Sequence, residues 1–198
     1  ALLQTALHGA INAKNGVIFS MEMSAIQIIG RLVASQSGWK CVSAYEKPST
    51  PHFNGMKAGI AEISVLPITI HDQVSDIDAI ESICRQQKRT GLDWIVVDYI
   101  QLCSPSEDNI TENREQQVSL IARRLKLLAL HLNICVLTAS QLNEKEQLRE
   151  SRGIGHHADY VLRITHGDEG QNIVIDKNRN GERHVSAPVL MQGGISRF

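Results

Sequence analysis

Two carboxylates, an amide and a pair of cations stand where this sequence can do chemistry. In LDWIVVDY (residues 92–99), Trp94 to Val97 form an apolar run suited to a strand buried on both faces, and Asp98 follows directly. An ionised Asp is costly to bury without a partner. A carboxylate at the end of such a strand either holds a magnesium ion or caps the turn that follows. Glu22 lies just past the apolar VIFS (residues 17–20), and Gln141 just past ICVLTAS (residues 134–140). Lys177 and Arg179 in DKNRNG (residues 176–181) are two apart, so on one strand they point to the same face. The Asn180-Gly181 behind them equally suits a solvated hairpin tip.

The elements that must position these groups follow from hydrophobic spacing. Ala1 to Ala13 reads as a helix ended by Lys14-Asn15-Gly16, and Val17 to Ser20 as a short buried strand. Ser24 is an N-cap for a helix through Ala34. Gly38 to Phe53 is irregular, Met56 to Val65 helical, and Leu66 to Ile70 a strand whose Pro67 favours an edge. A helix over Ser75 or Asp76 to Arg89 precedes the central strand Ile95–Val97; Glu112 to Leu132 is the longest helix, and Ile134–Thr138 another buried strand. Tyr160–Ile164, Asn172–Ile175 and Val189–Met191 close the chain as strands. Strands alternating with helices predict an α/β fold with an open, mostly parallel sheet covered on both faces and a C-terminal β-hairpin. Ligands of such sheets bind beyond the carboxyl ends of the strands, where Asp98, Glu22 and Gln141 converge.

The 198 residues are 42% apolar and 21% charged, which suits one soluble domain, and no apolar run approaches the length of a membrane span. The first residues do not resemble a secretory signal. Cys41, Cys84, Cys103 and Cys135 are scattered without a CxxC pair and read as reduced thiols of a cytoplasmic protein. The eight histidines show no ligand spacing, and His156-His157 reads as a solvated turn. A net charge of -1 confines any nucleic-acid binding to a local patch.

FSMEMS (19–24), VVDYIQL (96–102), TASQLN (138–143), LRES (148–151) with Ala158-Asp159, and DKNRNG (176–181) occur in that order. Together these blocks resemble the C-terminal ATPase domain of the DnaB-type replicative helicases, a RecA-like fold, over essentially the whole chain. The resemblance implies an ATP-dependent helicase that translocates on single-stranded DNA and unwinds duplex as a homo-oligomeric, hexameric ring, with a primase and a helicase loader as further partners. It implies ATP and Mg²⁺ as cofactors. Asp98 would be the Walker B carboxylate, holding the metal through water, and Glu22 the catalytic carboxylate that orients and partly deprotonates the attacking water. Gln141 would contact the γ-phosphate and report hydrolysis to the DNA loops. Lys177 and Arg179 would reach the neighbouring subunit's ATP, Arg179 as a finger in trans. Arg149, Glu150 and Arg152 would lie on DNA-binding loops facing a central channel, where Arg149 and neighbouring backbone groups would contact the phosphates of single-stranded DNA. Arg152 stands where the family usually has Gly, so the loop either gains a cation or differs in backbone.

Each residue has a plainer reading. Glu22 also complements a helix dipole, Gln141 is an ordinary loop polar group when taken alone, and Arg152 is equally a charged exposed side chain. The chief departure is the lack of a Gly-x-x-x-x-Gly-Lys-Ser/Thr loop anywhere in the chain, on which ATP binding depends. The expected domain is therefore a single RecA-like unit over residues 1–198, truncated just after that Walker A loop, since the first helix resembles the one that follows it. The alternative is a catalytically degenerate relative serving assembly or partner binding. Another RecA-like ring ATPase, of the recombinase type, also shares the strand-end Asp. The short spacings Asn143–Leu148 and Thr165–Asn172 depart from the family too.

Overall fold

The computed structural model describes residues 2–38, 50–105, 113–141, 152–167 and 170–190. Four strands, β1 (Asn15–Ser20), β2 (Ile68–His71), β3 (Leu92–Asp98) and β4 (Cys135–Thr138), form an all-parallel sheet in the order β2-β1-β3-β4. Pro67 immediately precedes β2, the edge strand, as the missing proline N–H requires. Alternation along the inner strands divides the core in two. Val17 and Phe19 of β1 and Ile95 and Val97 of β3 face one layer, with Ile77, Ile80 and Cys84 of α4 (Ile77–Lys88) and Val118, Ile121, Leu125 and Leu128 of α5 (Arg114–Leu132). Ile18, Trp94 and Val96 face the other, with Ala6, Leu7 and Ala10 of α1 (Leu2–Ile11) and Ile28 and Leu32 of α2 (Ala25–Ser37). α3 (Thr50–Ser64) runs beside α2, where a Cβ on Gly59 would meet Val33 at 3.2 Å.

Local chemistry fixes the ends of these elements. Ser24 accepts from the Gln27 amide while the Gln27 side chain returns to the Ser24 N–H, a reciprocal capping box at the start of α2. Asp76 caps α4 through the amides of Asp78 and Ala79, and Asn113 caps α5 through those of Glu115 and Gln116. Arg124 of α5 binds Asp78 at 2.5 Å and Glu81 at 2.8 Å, joining the two helices of one layer. On the opposite layer the Trp94 indole lies flat on Gly16, where an added Cβ would stand 2.0 Å from the ring. Only glycine admits that approach, and the indole N–H donates to the Lys14 carbonyl at 3.1 Å.

A second sheet is antiparallel, in the order β5-β6-β7: β5 (Tyr160–Gly167), β6 (Gly170–Asn178) and β7 (Ser186–Val189). This sheet holds the three closing strands expected from the sequence, the C-terminal hairpin among them. Its last strand begins at Ser186, not Val189, and Asn180-Gly181 lies within the longer connection of residues 179–185, so no two-residue turn forms. A six-residue helix, α6 (Arg152–His157), takes the place of the solvated turn expected at His156-His157. Ile154 buries in the core beside α5, and Gly153 packs so tightly on Ser119 that a Cβ would sit 2.2 Å from its hydroxyl oxygen. β4, expected to be fully buried, is partly exposed because no described strand pairs with its outer side, and Cys135 is exposed there while Cys84 and Cys103 are buried. Among the described residues no helix is long and apolar enough to cross a membrane.

Candidate functional site

Parallel pairing makes the carboxyl ends of β1, β3 and β4 a single edge. Ser20 stands opposite Asp98, and Val97 opposite Thr138. Beyond the last pair the chains stay tied: the Met21 amide donates to the Asp98 carbonyl at 3.0 Å, and the Ile100 amide to the Ala139 carbonyl at 3.2 Å. Glu22 is thereby held next to Asp98, and Gln141 emerges, exposed, two residues after Ala139. The buried Ser20 hydroxyl closes the turn into Glu22 by donating to the Met23 carbonyl at 2.8 Å and accepting from its amide. Thr138 Oγ1 donates to the Val97 carbonyl at 2.8 Å.

The electrostatics of this edge favour a cation. Asp98, partly buried, is held above the usual carboxylate range first by burial, then by the neighbouring Glu22 carboxylate, with Arg31 of α2 opposing. Two carboxylates side by side with one of them desolvated form a pair that positive charge relieves. The consequence for stability can be read from the sign. A raised folded-state pKa contributes stability that is complete below the unfolded value, near ~3.9, and is lost as pH rises through the folded value. Asp98→Asn is therefore expected to raise the melting midpoint at pH 7 without nucleotide, the gain vanishing below about pH 4. Thermal denaturation at both pH values checks this; a lower midpoint at pH 7 would contradict it.

Lys177 and Arg179 lie apart from this edge. Lys177, within β6, donates to the carbonyls of Gly155 and His156 at the end of α6, at 2.8 and 3.2 Å. Arg179 stands one residue past the end of β6, not within the same strand as Lys177, and its Nη1 donates to Asp159 Oδ1 at 2.6 Å. Arg152 opens α6, while Arg149 and Glu150 lie outside the described residues. Sequence reasoning assigned no role to Gln101, whose Nε2 donates to Ser140 Oγ at 2.8 Å and clamps the β3 and β4 loops beside Gln141. Nor did it single out Asp72, whose carboxylate accepts from the Ala25 amide at 2.8 Å and starts α2 at the same edge. A cleft of about 320 Å³ opens at the other end of the sheet, between Asn15, Leu66, Pro67, Thr69 and Gln87. It sits at the amino ends of the strands, away from the carboxylates, and the position of the charged groups decides for the Asp98 edge.

Compared with known families, residues 1–198 match the one described as the DnaB-like helicase C terminal domain. The chain belongs to the DnaB-like helicase C-terminal domain family. Among similar curated proteins, the replicative DNA helicase DnaB of Geobacillus stearothermophilus is 36% identical over 194 residues, covering 85% of this chain and 42% of that protein. The probable plasmid replicative DNA helicase of Chlamydia trachomatis is 29% identical over 214 residues, covering 99% and 46%. The chain thus spans less than half the length of these relatives. A solved DnaB-like replicative helicase, studied with its interactions with primase, superposes with a TM-score of 0.87 at 25% identity, covering all of this chain and 53% of the other. A second solved structure, described as an ATPase domain, superposes with a TM-score of 0.88 over 98% of this chain and 77% of its own, and at 24% identity attests the fold. The architecture of this DnaB-like domain is RecA-like, a mostly parallel sheet with an antiparallel C-terminal sheet.

The carboxylate at the end of β3 fits a nucleotide-bound magnesium ion. Among the described residues no three His, Cys, Asp or Glu side chains gather to hold a metal. Magnesium keeps most of its water and takes one or two carboxylates with phosphate oxygens, a role that Asp98 suits.

Proposed function

We propose that this chain is the motor portion of an ATP-driven DNA helicase. It would work as a homo-oligomeric, hexameric ring that moves along single-stranded DNA and excludes the complementary strand. One observation carries the reading: in a DnaB-like domain, parallel register brings Glu22, Asp98 and Gln141 to one edge, with Glu22 raising the pKa of a desolvated Asp98. When bound there, a magnesium-triphosphate supplies the reacting phosphoryl group with its charge partly neutralised. Asp98 would hold that ion through water. Glu22, exposed to solvent, orients the attacking water and draws on its proton. The Gln141 amide would donate to the terminal phosphate, and the Gln101–Ser140 clamp holds the loop from which it projects. Lys177 and Arg179, held on the C-terminal sheet, serve the neighbour's nucleotide. Arg149 and Glu150, with Arg152 at the start of α6, are assigned to single-stranded DNA, the two arginines contacting its phosphates irrespective of sequence, a mode weakened by salt. A primase and a loader are the protein partners, and the cytoplasm the compartment.

The test is a chain extended upstream through the phosphate-binding loop. It is expected to hydrolyse ATP, faster with single-stranded DNA, and to separate a forked duplex with a steep loss between low and high salt. A native gene with no Gly-x-x-x-x-Gly-Lys-Ser/Thr upstream of Ala1, or ATP turnover without strand separation, would overturn the reading.

A further inference from the structure

We propose that Asp159 is a positioning residue for Arg179, aiming the guanidinium at the nucleotide of the adjoining subunit. The inference rests on the trans role proposed above for Arg179. β5 and β6 pair from Tyr160 opposite Asn178, so Asp159 and Arg179 face one another one step beyond the ladder. The Arg179 amide donates to the Asp159 carbonyl at 3.0 Å, and Arg179 Nη1 donates to Asp159 Oδ1 at 2.6 Å. The other carboxylate oxygen, Oδ2, accepts from Lys126 Nζ. Lys126 sits on α5 directly after Leu125, a buried member of the core.

Asp159 therefore connects an exposed guanidinium to a helix seated in the core. Side-chain exposure rises along the series, from 21% at Lys126 through 32% at Asp159 to 60% at Arg179. Lys126 and Arg179 hold the Asp159 carboxyl below its usual range, so it stays ionised at neutral pH. A partly exposed ion pair contributes little to stability, but it removes rotational freedom from the group it holds. Guanidinium has five N–H donors in a rigid plane. Engaging Nη1 tethers the guanidinium at Asp159 and leaves further donors for a phosphate. Lys177, by contrast, rests on the α6 carbonyls.

The experiment uses the ring-forming full-length protein and compares Asp159→Asn, Arg179→Ala and the double variant by steady-state ATP hydrolysis with single-stranded DNA. Asp159→Asn is expected to lower kcat about 10-fold, within the loss that a misplaced catalytic group brings, with the KM for ATP and the melting midpoint unchanged. In the Arg179→Ala background it is expected to add nothing, whereas a merely structural residue would add its own loss there. Lys126→Met, which frees only the far anchor, should give a smaller fall in kcat and provides the test if Asp159→Asn does not fold. An unchanged kcat in Asp159→Asn, or a further loss in the double variant, overturns the proposal. If Arg179→Ala itself keeps full turnover, the failure lies with the finger assignment; if Arg179→Ala is inactive and Asp159→Asn is normal, it lies with the positioning alone.

Discussion

Replacing Arg179 with alanine is expected to lower ATP turnover of the assembled ring by ~10³-fold or more while nucleotide binding within each subunit persists. The expectation follows from where the side chain sits. Arg179 projects from the antiparallel sheet, bound to Asp159 and not to the Asp98 edge of its own chain. In the proposed ring, a cation so placed meets a triphosphate across a subunit boundary. Its pair with Asp159 is 60% exposed on the arginine side, so its removal should barely move the melting midpoint. Arg179→Lys should rescue little, because an ammonium lacks the planar fork that binds Asp159 and a phosphate together. Rates of phosphate release with and without single-stranded DNA provide the measurement. Turnover within about 3-fold of the parent would remove Arg179 from the reaction, since fingers of this kind supply far more than that. Mixing Arg179→Ala subunits with Glu22→Gln subunits should recover activity that neither shows alone, because some interfaces then pair an intact Glu22 with an intact Arg179.

Glu22→Gln should abolish steady-state hydrolysis, by ~10² to 10⁴-fold, the range a positioned general base contributes, and leave ATP bound. Glutamine keeps the shape and a hydrogen-bonding end but cannot draw a proton from water. The exchange has a second effect at the neighbouring carboxylate. Glu22 is one of the two causes that raise the Asp98 pKa, so its neutralisation should bring Asp98 closer to an ordinary aspartate. Mg²⁺-dependent binding of a fluorescent ATP analogue should then be retained or tightened while product formation fails. Normal turnover would exclude Glu22 as the base, and loss of binding together with turnover would make it a ligand instead.

The groups at the Asp98 edge were legible because their position follows from simple rules. An apolar run that ends in a polar residue fixes which end of a strand that residue occupies, and a parallel sheet puts those ends together. The edge position of β2 was equally readable from Pro67, and the start of α2 from Ser24. The misses have physical causes. α6 is six residues long with two glycines and a pair of histidines, so its pattern is too short to show a period; it exists because Ile154 and Gly153 dock on α5. Arg179 was expected on the same strand as Lys177, but β6 ends at Asn178, and no spacing rule reveals where an antiparallel ladder stops. Asp159 and Gln101 stood inside recognised sequence blocks, yet their work depends on Lys126 and Ser140, 33 and 39 residues away. Such contacts across elements come from tertiary geometry. Arg149 and Glu150, expected to serve DNA binding, fall outside the described residues.

The seat of Trp94 has a practical corollary. Its indole is 6% exposed, spread over glycine backbone and bonded to the Lys14 carbonyl at the junction of α1 and β1. An indole so shielded emits at short wavelength and shifts to the red when water reaches it. The chain has one other tryptophan, Trp39, and once that is replaced by phenylalanine the emission belongs to Trp94 alone. It is then a built-in optical gauge of whether the first helix stays seated on the sheet, and it does not sense the separate antiparallel strands that carry Arg179.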